Sequence, residues 1–407
     1  MISTTARPYI EASVPVLREH GLAITTRFYA RMFEAHPELN NLFNMGNQAN
    51  GAQQQSLASA VFAYAANIDN AAALTPVLDR IVHKHAAVGL KPSHYPIVGR
   101  HLLAAIGEVL GAAATPELIA AWDEAYWLLA GELIAAEARL YQRTGTQPGE
   151  LQPLHVQRIE HEGADTVSIY LTTAEGGNPG PFQPGQYVSV AMEWTEPGTG
   201  EARRQLRQYS LSDAPDQPWW RLTIKREAGT PAGQVSNWLH DHVKVGDVLP
   251  VSAAYGDFTP VLTGDVPLVL LSAGVGITPM VSVLKAVARQ NPTRTVVFAH
   301  AARDAEHQAL LADLQEAAAQ MPHLRTVLFH EQGTVHAVAQ AGQPSPYRGR
   351  MTLEPVLAEV DLSQAQVLMC GPLPFMREQW AGLLQRGVPA MRIHREVFGP
   401  ELLDHLL

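Results

Sequence analysis

The sequence predicts a multidomain chain: an all-α domain, then an antiparallel β-barrel or sandwich, then an α/β domain with a parallel sheet. Three observations carry this. Residues 1–140 are rich in Ala and Leu at helical spacing and poor in strand signals. From 151 to 262 short β-type runs ("DTVSIYL", "GQYVSV", "WRLTIKRE") are separated by Gly/Pro-rich turns. From 263 to 407 buried strands alternate with helices, as when "PLVLLS" precedes "MVSVLKAVARQ" and "RTVVFAH" precedes "AEHQALLADLQEAAAQ". A polar run with Gly and Pro, "YQRTGTQPGE" (141–150), is the expected linker after the first domain.

Composition narrows the function. With 407 residues, a formal charge of −10 and no Lys/Arg-rich block, the chain has several cores and no electrostatic footprint for nucleic acid or an anionic membrane. Its one cysteine, Cys370, excludes an internal disulfide and any Cys-based zinc or iron–sulfur site, and fits a reducing compartment. The start, "MISTTARPYI", lacks a secretory pattern. The most apolar stretch, 266–284, is broken by glycines and proline and reads as strand–turn–helix. A cytoplasmic protein without a dedicated membrane segment is expected, with a monomer as the default.

In the helical part, "RIVHKHAAVG" (80–89) holds two histidines. Pro76 is expected in the first turn of their helix and Pro92 beyond its end. Leu78, Ile81, Val82 and His85 fall at i, i+3, i+4 and i+7, whereas His83 is turned roughly 200° away and is expected to face solvent. His85 is thus the candidate metal ligand; the other reading is a core histidine bonded to a carbonyl. Glu137 shares a face with Tyr126, Ala130, Leu133 and Leu140, where a carboxylate is costly unless partnered. Tyr95 lies on the face of Val98, Leu102 and Val109. His85, Tyr95 and Glu137 either form one hydrogen-bonded group or are satisfied separately. Tyr29 sits at the edge of the stripe made by Ile24, Phe28 and Met32, with its hydroxyl reaching water or donating into a pocket.

In the β part, "RQYSL" follows "PFQPGQYVSV" and precedes "GQVSNWL" and "YGDF". This set resembles the flavin domain of ferredoxin reductase-like proteins. Tyr209 offers a flat face for an isoalloxazine ring, Ser210 a hydrogen bond to its edge, and Arg207, beside Gln208, a planar fork for pyrophosphate. Gly233, Gln234, Val235 and Ser236 open a helix whose free N–H groups can also face phosphate, and Tyr187 is assigned to the adenine side. In the α/β part, Gly274, Val275, Gly276, Ile277, Thr278 and Pro279 form a strand–turn–helix reading G-x-G-x-x-P rather than G-x-G-x-x-G. Cys370, Gly371 and Pro372 end a later strand, where a nicotinamide would lie.

With "LFNMGNQANGAQQQSL" (42–57) and "HKHAAVGLKPSHYPIVGRHLL" (83–103), the whole chain resembles the flavohaemoglobins: globin, FAD-binding β-barrel, NAD(P)-binding α/β domain. The resemblance implies b-type haem, FAD and NAD(P)H as cofactors, and His85 as proximal iron ligand. It implies that Tyr95 and Glu137 flank that ligand, that Phe43 packs on the haem, that Tyr29, Gln53 and Leu57 form the distal side, and that Lys84 tunes redox potential. It also places Glu396, Val397, Phe398, Gly399 and Pro400 at the flavin, with Val397 where the family usually has cysteine. The implied activity is nitric oxide dioxygenase, taking dioxygen and nitric oxide to nitrate with electrons passed from NAD(P)H through FAD to haem. A reductase of hydroperoxides, quinones or ferric species, and a haem-based gas sensor, are the alternatives; no output segment supports the sensor. His300 and Arg303 leave NADH and NADPH undecided.

Overall fold

The computed structural model describes residues 2–43, 48, 51–68, 70–195, 200, 202–230, 232–332, 346–358 and 360–400. Part of the 42–57 motif, at 44–47 and 49–50, lies outside the described residues. The chain divides into two units. One comprises Met1–Gln152, Ser189–Arg207 and Gly399–Leu407; the other comprises Pro153–Val188 and Gln208–Phe398. Residues 189–207 belong to the first of these units, and most of the antiparallel strands belong with the α/β part to the second.

The helical part contains α1 (Arg7–Ala35), α2 (Ala52–Ala66), α3 (Ala71–Val88), α4 (Tyr95–Leu110) and α5 (Pro116–Thr144). Its core gathers Ile10, Ile24, Phe28, Met32, Ile106, Trp122 and Ala125. Thr115 caps α5 by accepting from the Leu118 N–H (3.2 Å), and Pro116 opens the helix where no N–H is needed. Two expectations need correction. Pro76 lies inside α3, five residues past its start, and forfeits one backbone bond there. The supposed linker begins as helix: α5 runs to Thr144 and ends on Gly145 in the left-handed region (φ +66°). The turn that follows packs so closely that a Cβ on Gly89 would meet Gly149 Cα at 2.4 Å. Among the described residues one stretch, Pro92–Ala113, is long and apolar enough to cross a membrane; its Leu102, Ala105 and Ile106 are buried in the helical core.

The antiparallel sheet comprises β1 (Gln152–His161), β2 (Thr166–Thr172), β3 (Tyr187–Thr195), β4 (Ala202–Ser210), β5 (Trp220–Lys225) and β6 (Val248–Val251), in the order β4-β3-β6-β1-β2-β5. A Leu211–Leu222 bridge joins the end of β4 to β5, so the sheet closes on itself and loses its edges. Helix α6 (Gln234–His242) follows β5.

The parallel sheet comprises β7 (Leu268–Ala273), β8 (Val296–Ala302), β9 (Leu324–His330), β10 (Tyr347–Arg348), β11 (Gln366–Cys370) and β12 (Ile393–Glu396), in the order β10-β9-β8-β7-β11-β12. The connecting helices are α7 (Ile277–Gln290), α8 (Leu311–Gln320), α9 (Leu353–Leu357) and α10 (Leu373–Gln385). Leu268 to Leu271 are all fully buried, as a strand covered on both faces requires. The chain reverses direction across the sheet between β7 and β11, which sets a crevice at the carboxyl ends of those strands.

Candidate functional site

The helical faces bring three polar groups to one atom. His85 on α3 donates its Nδ1–H to Glu137 Oε1 on α5 (2.7 Å), and Tyr95 OH at the start of α4 donates to the same oxygen (2.6 Å). Tyr95 OH and His85 Nδ1 lie 3.3 Å apart. Glu137 is 2% exposed, so both donors compensate a carboxylate withdrawn from water. Burial, and then the hydrogen bond to Glu137, push the Tyr95 phenol well above its ordinary range, so it stays a donor. With Nδ1 engaged, Nε2 is the imidazole nitrogen left to coordinate, and this fits a haem iron at His85. His83 is half-buried rather than wholly solvent-facing and has partners of its own.

Two residues reinforce this group. Tyr126 OH donates to the Tyr95 carbonyl (2.5 Å), and its ring lies so near the backbone of Gly99 that a Cβ there would come within 2.5 Å of Cε1. Tyr141 OH donates to the carbonyl of Leu90 (3.2 Å), just past the end of α3. The role of Tyr141 was not legible, because its run reads as linker.

Tyr29 is buried rather than at an exposed edge. Its ring stacks on Phe33 (centroids 5.8 Å apart) and meets Phe43 edge-on (5.7 Å). The side chains of Gln53 and of Gln48, which sequence reasoning missed, act on its hydroxyl and partly offset the effect of burial. Burial raises its pKa to about 12, so the hydroxyl keeps its proton at neutral pH. Leu57 and Phe43 are both partly buried at the margin of the same core. Lys84, next to His85, donates to the Gly399 carbonyl (3.0 Å).

The β part presents an unfilled donor. Ser210, at the end of β4, is buried and its Oγ has no partner among the described residues, which fits a flavin edge beside it. Tyr209 is half-buried and Gln208 exposed. Arg207 Nη1 donates to Gln205 Oε1 (3.1 Å) and to the Leu206 carbonyl (2.7 Å). The ring of Tyr187, assigned to the adenine side, is buried against Gly256: a Cβ there would sit 3.1 Å from Cε1. Gly233 is the N-cap of α6, whose first residues are Gln234, Val235 and Ser236.

In the α/β part, Gly274 adopts φ +54° and Gly276 packs on β11, where a Cβ would meet the Cys370 carbonyl at 2.3 Å. Thr278 Oγ1 donates to the Val275 carbonyl (3.0 Å), closing the turn ahead of Pro279, while Ile277 is buried beneath it. This turn sits at a strand end and a helix start, and fits a coenzyme pyrophosphate. Cys370 pairs in register with Glu396 on β12, with Gly371 and Pro372 following on the way to α10. Burial pushes the Cys370 thiol up, and the Glu396 charge adds to it, so it is not a reactive thiolate. Val397 fills the place expected for cysteine and is buried in the apolar core of this sheet, whereas Phe398 is about half exposed.

Comparison with known proteins agrees with these three parts. The family model described as Globin matches residues 26–133, and the one described as Oxidoreductase NAD-binding domain matches residues 270–379. A flavohemoprotein of Bordetella parapertussis is 46% identical over 403 residues, spanning 98% of this chain and 99% of the relative. A flavohemoglobin from Malassezia yamatoensis, solved with bound FAD and heme, superposes with a TM-score of 0.83 at 28% identity, covering 98% of this chain and 100% of that one. The flavohem-like FAD/NAD-binding domain of a nitric oxide dioxygenase from Vibrio cholerae matches at 33% identity and a TM-score of 0.54, covering 62% of this chain and all of that one.

Proposed function

The chain belongs to the flavohaemoprotein family, an oxidoreductase with haem, FAD and NAD(P) sites, and on that premise we propose that it is a nitric oxide dioxygenase. It uses NAD(P)H and dioxygen to convert nitric oxide to nitrate. When bound, the haem supplies a gas-binding metal, and FAD splits a two-electron donor into one-electron steps.

The observation that carries the reading is the convergence of His85 Nδ1–H and Tyr95 OH on buried Glu137 Oε1. A carboxylate behind the imidazole raises the basicity of Nε2, so His85 would be a strong electron donor to a haem iron held there. Tyr29, protonated and beside Gln53, offers a hydrogen bond to an electron-rich ligand. The Phe33 and Phe43 rings pack against Tyr29 and fix the direction of its hydroxyl. In the reductase part, Ser210 Oγ would hold the flavin edge and the turn at Gly274–Thr278 would hold the coenzyme.

The test is nitrate formed per NADH consumed, with nitric oxide present and absent. The balanced reaction takes two NO, two O₂ and one NAD(P)H to two nitrates, one NAD(P)⁺ and one proton, so about two nitrates per nitric oxide-dependent NAD(P)H are expected. Coenzyme oxidation that is indifferent to nitric oxide and yields no nitrate would point to a plain reductase.

A further inference from the structure

A buried charge cluster lies away from the haem residues, between the barrel and the α/β part of one unit. Arg221 on β5 is 4% exposed and grips Asp313 on α8 with both fork nitrogens (Nη1–Oδ2 3.0 Å, Nη2–Oδ1 2.9 Å). Its Nε donates to Ser212 Oγ (3.2 Å) and lies 4.0 Å from Asp213 Oδ2. Lys285 on α7 reaches both carboxylates, Asp213 at 2.9 Å and Asp313 at 2.8 Å. Ser282, one turn earlier on α7, donates to the Asp213 carbonyl (2.8 Å). Two cations thus balance two buried carboxylates, with the half-exposed Glu316 at 3.4 Å from Lys285 on the rim. Burial opposes ionisation of Asp213, but the Arg221 and Lys285 charges outweigh it and hold the carboxyl below its usual range.

Location gives the cluster its meaning. Asp213 lies three residues past Ser210, at the proposed flavin edge. Thr278, Ser282 and Lys285 fall at i, i+4 and i+7 on α7, so the helix face that opens at the coenzyme turn is the face tied to Asp213. Buried ion pairs add little net stability compared with apolar packing, because desolvation offsets the attraction. Their directional bonds do fix one register between the elements they join, and an apolar contact between the same helices would tolerate sliding.

We propose that Arg221, Lys285, Asp213 and Asp313 form a positioning element that sets the register of the coenzyme turn against the flavin strand for hydride transfer. In that step NAD(P)H loses a hydride, two electrons with one proton, and FAD accepts it; the four residues touch neither reactant. The inference rests on the FAD and NAD(P)H sites and is independent of the nitric oxide step. The experiment uses full-length holoenzyme carrying Asp313→Asn, Lys285→Met or Arg221→Lys. Two quantities are read by anaerobic stopped flow: the limiting rate of flavin reduction and the dissociation constant for NADH. A third is the charge-transfer absorbance formed when NAD⁺ binds reduced enzyme, which reports ring-on-ring register without turnover. A misplacement of about an ångström costs up to about a hundredfold in rate, so a fall of roughly ten- to a hundredfold in the limiting rate is expected. The charge-transfer band should weaken while FAD is retained and NADH affinity changes little. Variants that are folded and flavin-loaded, yet keep the wild-type limiting rate and band, overturn the proposal. So does loss of FAD from all three, which would make the cluster a folding requirement only.

Discussion

Replacing Glu137 by glutamine removes a buried negative charge while keeping the side chain's shape and one acceptor oxygen. Both hydrogen bonds to Oε1, from His85 at 2.7 Å and Tyr95 at 2.6 Å, then end on a neutral amide. A bond to a charged group contributes about 1.5–3 kcal/mol and a neutral one about 0.5–1.5, so each loses roughly 1 kcal/mol. The His85 share bears on the iron, because a carboxylate behind the imidazole favours the more positive ferric state. Since 1.4 kcal/mol is a factor of ten and a factor of ten is 59 mV for one electron, the haem midpoint potential should rise by about 40 mV. The companion variant Tyr95→Phe has the opposite sign. It removes the donor competing for Oε1, leaves the carboxylate to His85, and should lower the potential slightly. Spectroelectrochemical titration of both variants checks the pair. A potential that does not move in Glu137→Gln, or that moves in the same direction in both, would refute the idea that Oε1 is shared between them.

Three further outcomes follow from the same geometry. His85→Ala should abolish haem retention and His83→Ala should not, read from the absorption spectrum of purified protein; the reverse pattern would mean that the wrong histidine was chosen. Tyr29→Phe keeps the ring packing on Phe33 and Phe43 but removes the hydroxyl, and should speed oxygen dissociation roughly ten- to a hundredfold with flavin reduction unchanged; an unaltered off-rate would show that the hydroxyl does not face the ligand. His300 is fully buried beside Ser272 Oγ (2.9 Å), and burial lowers its pKa to about 3. The unfolded chain therefore binds this proton more readily than the folded one, so His300 contributes loss of stability as pH falls from about 6.5 toward 3, and none above that range. Chemical denaturation across that interval should show a shallower acid slope in His300→Gln; an unchanged slope would contradict the buried neutral imidazole.

Much of the site was legible because helical spacing is local. The stripe of Leu78, Ile81 and Val82 selected His85, and the costly carboxylate on the face of Ala130, Leu133 and Leu140 singled out Glu137. The same logic placed Gly274 and Gly276 at the turn between β7 and α7. It failed where a residue's effect depends on what lies across from it. Pro76 reads as a helix start, yet α3 runs through it, since packing of the helix outweighs one lost bond. Polar "YQRTG" reads as linker, yet Tyr141 is buried and bonds the backbone beyond α3. Arg221 carried no signal at all: one basic residue in "WRLTIKRE" is an ordinary strand charge until Asp313, 92 residues later, folds against it.

The sequence by itself determined the order of the three architectures, the periodicities that choose each buried face, and the residue types able to hold haem, flavin and nucleotide. Tertiary structure alone decided that His85 and Tyr95 meet on one oxygen of Glu137, that Phe33 and Phe43 pack on Tyr29, and that Arg221 and Lys285 share two carboxylates. The physical reason is range. Backbone dihedrals and side-chain periodicity are set by near neighbours along the chain, whereas a hydrogen-bond or ion-pair partner is chosen among groups that only folding brings within about 3 Å.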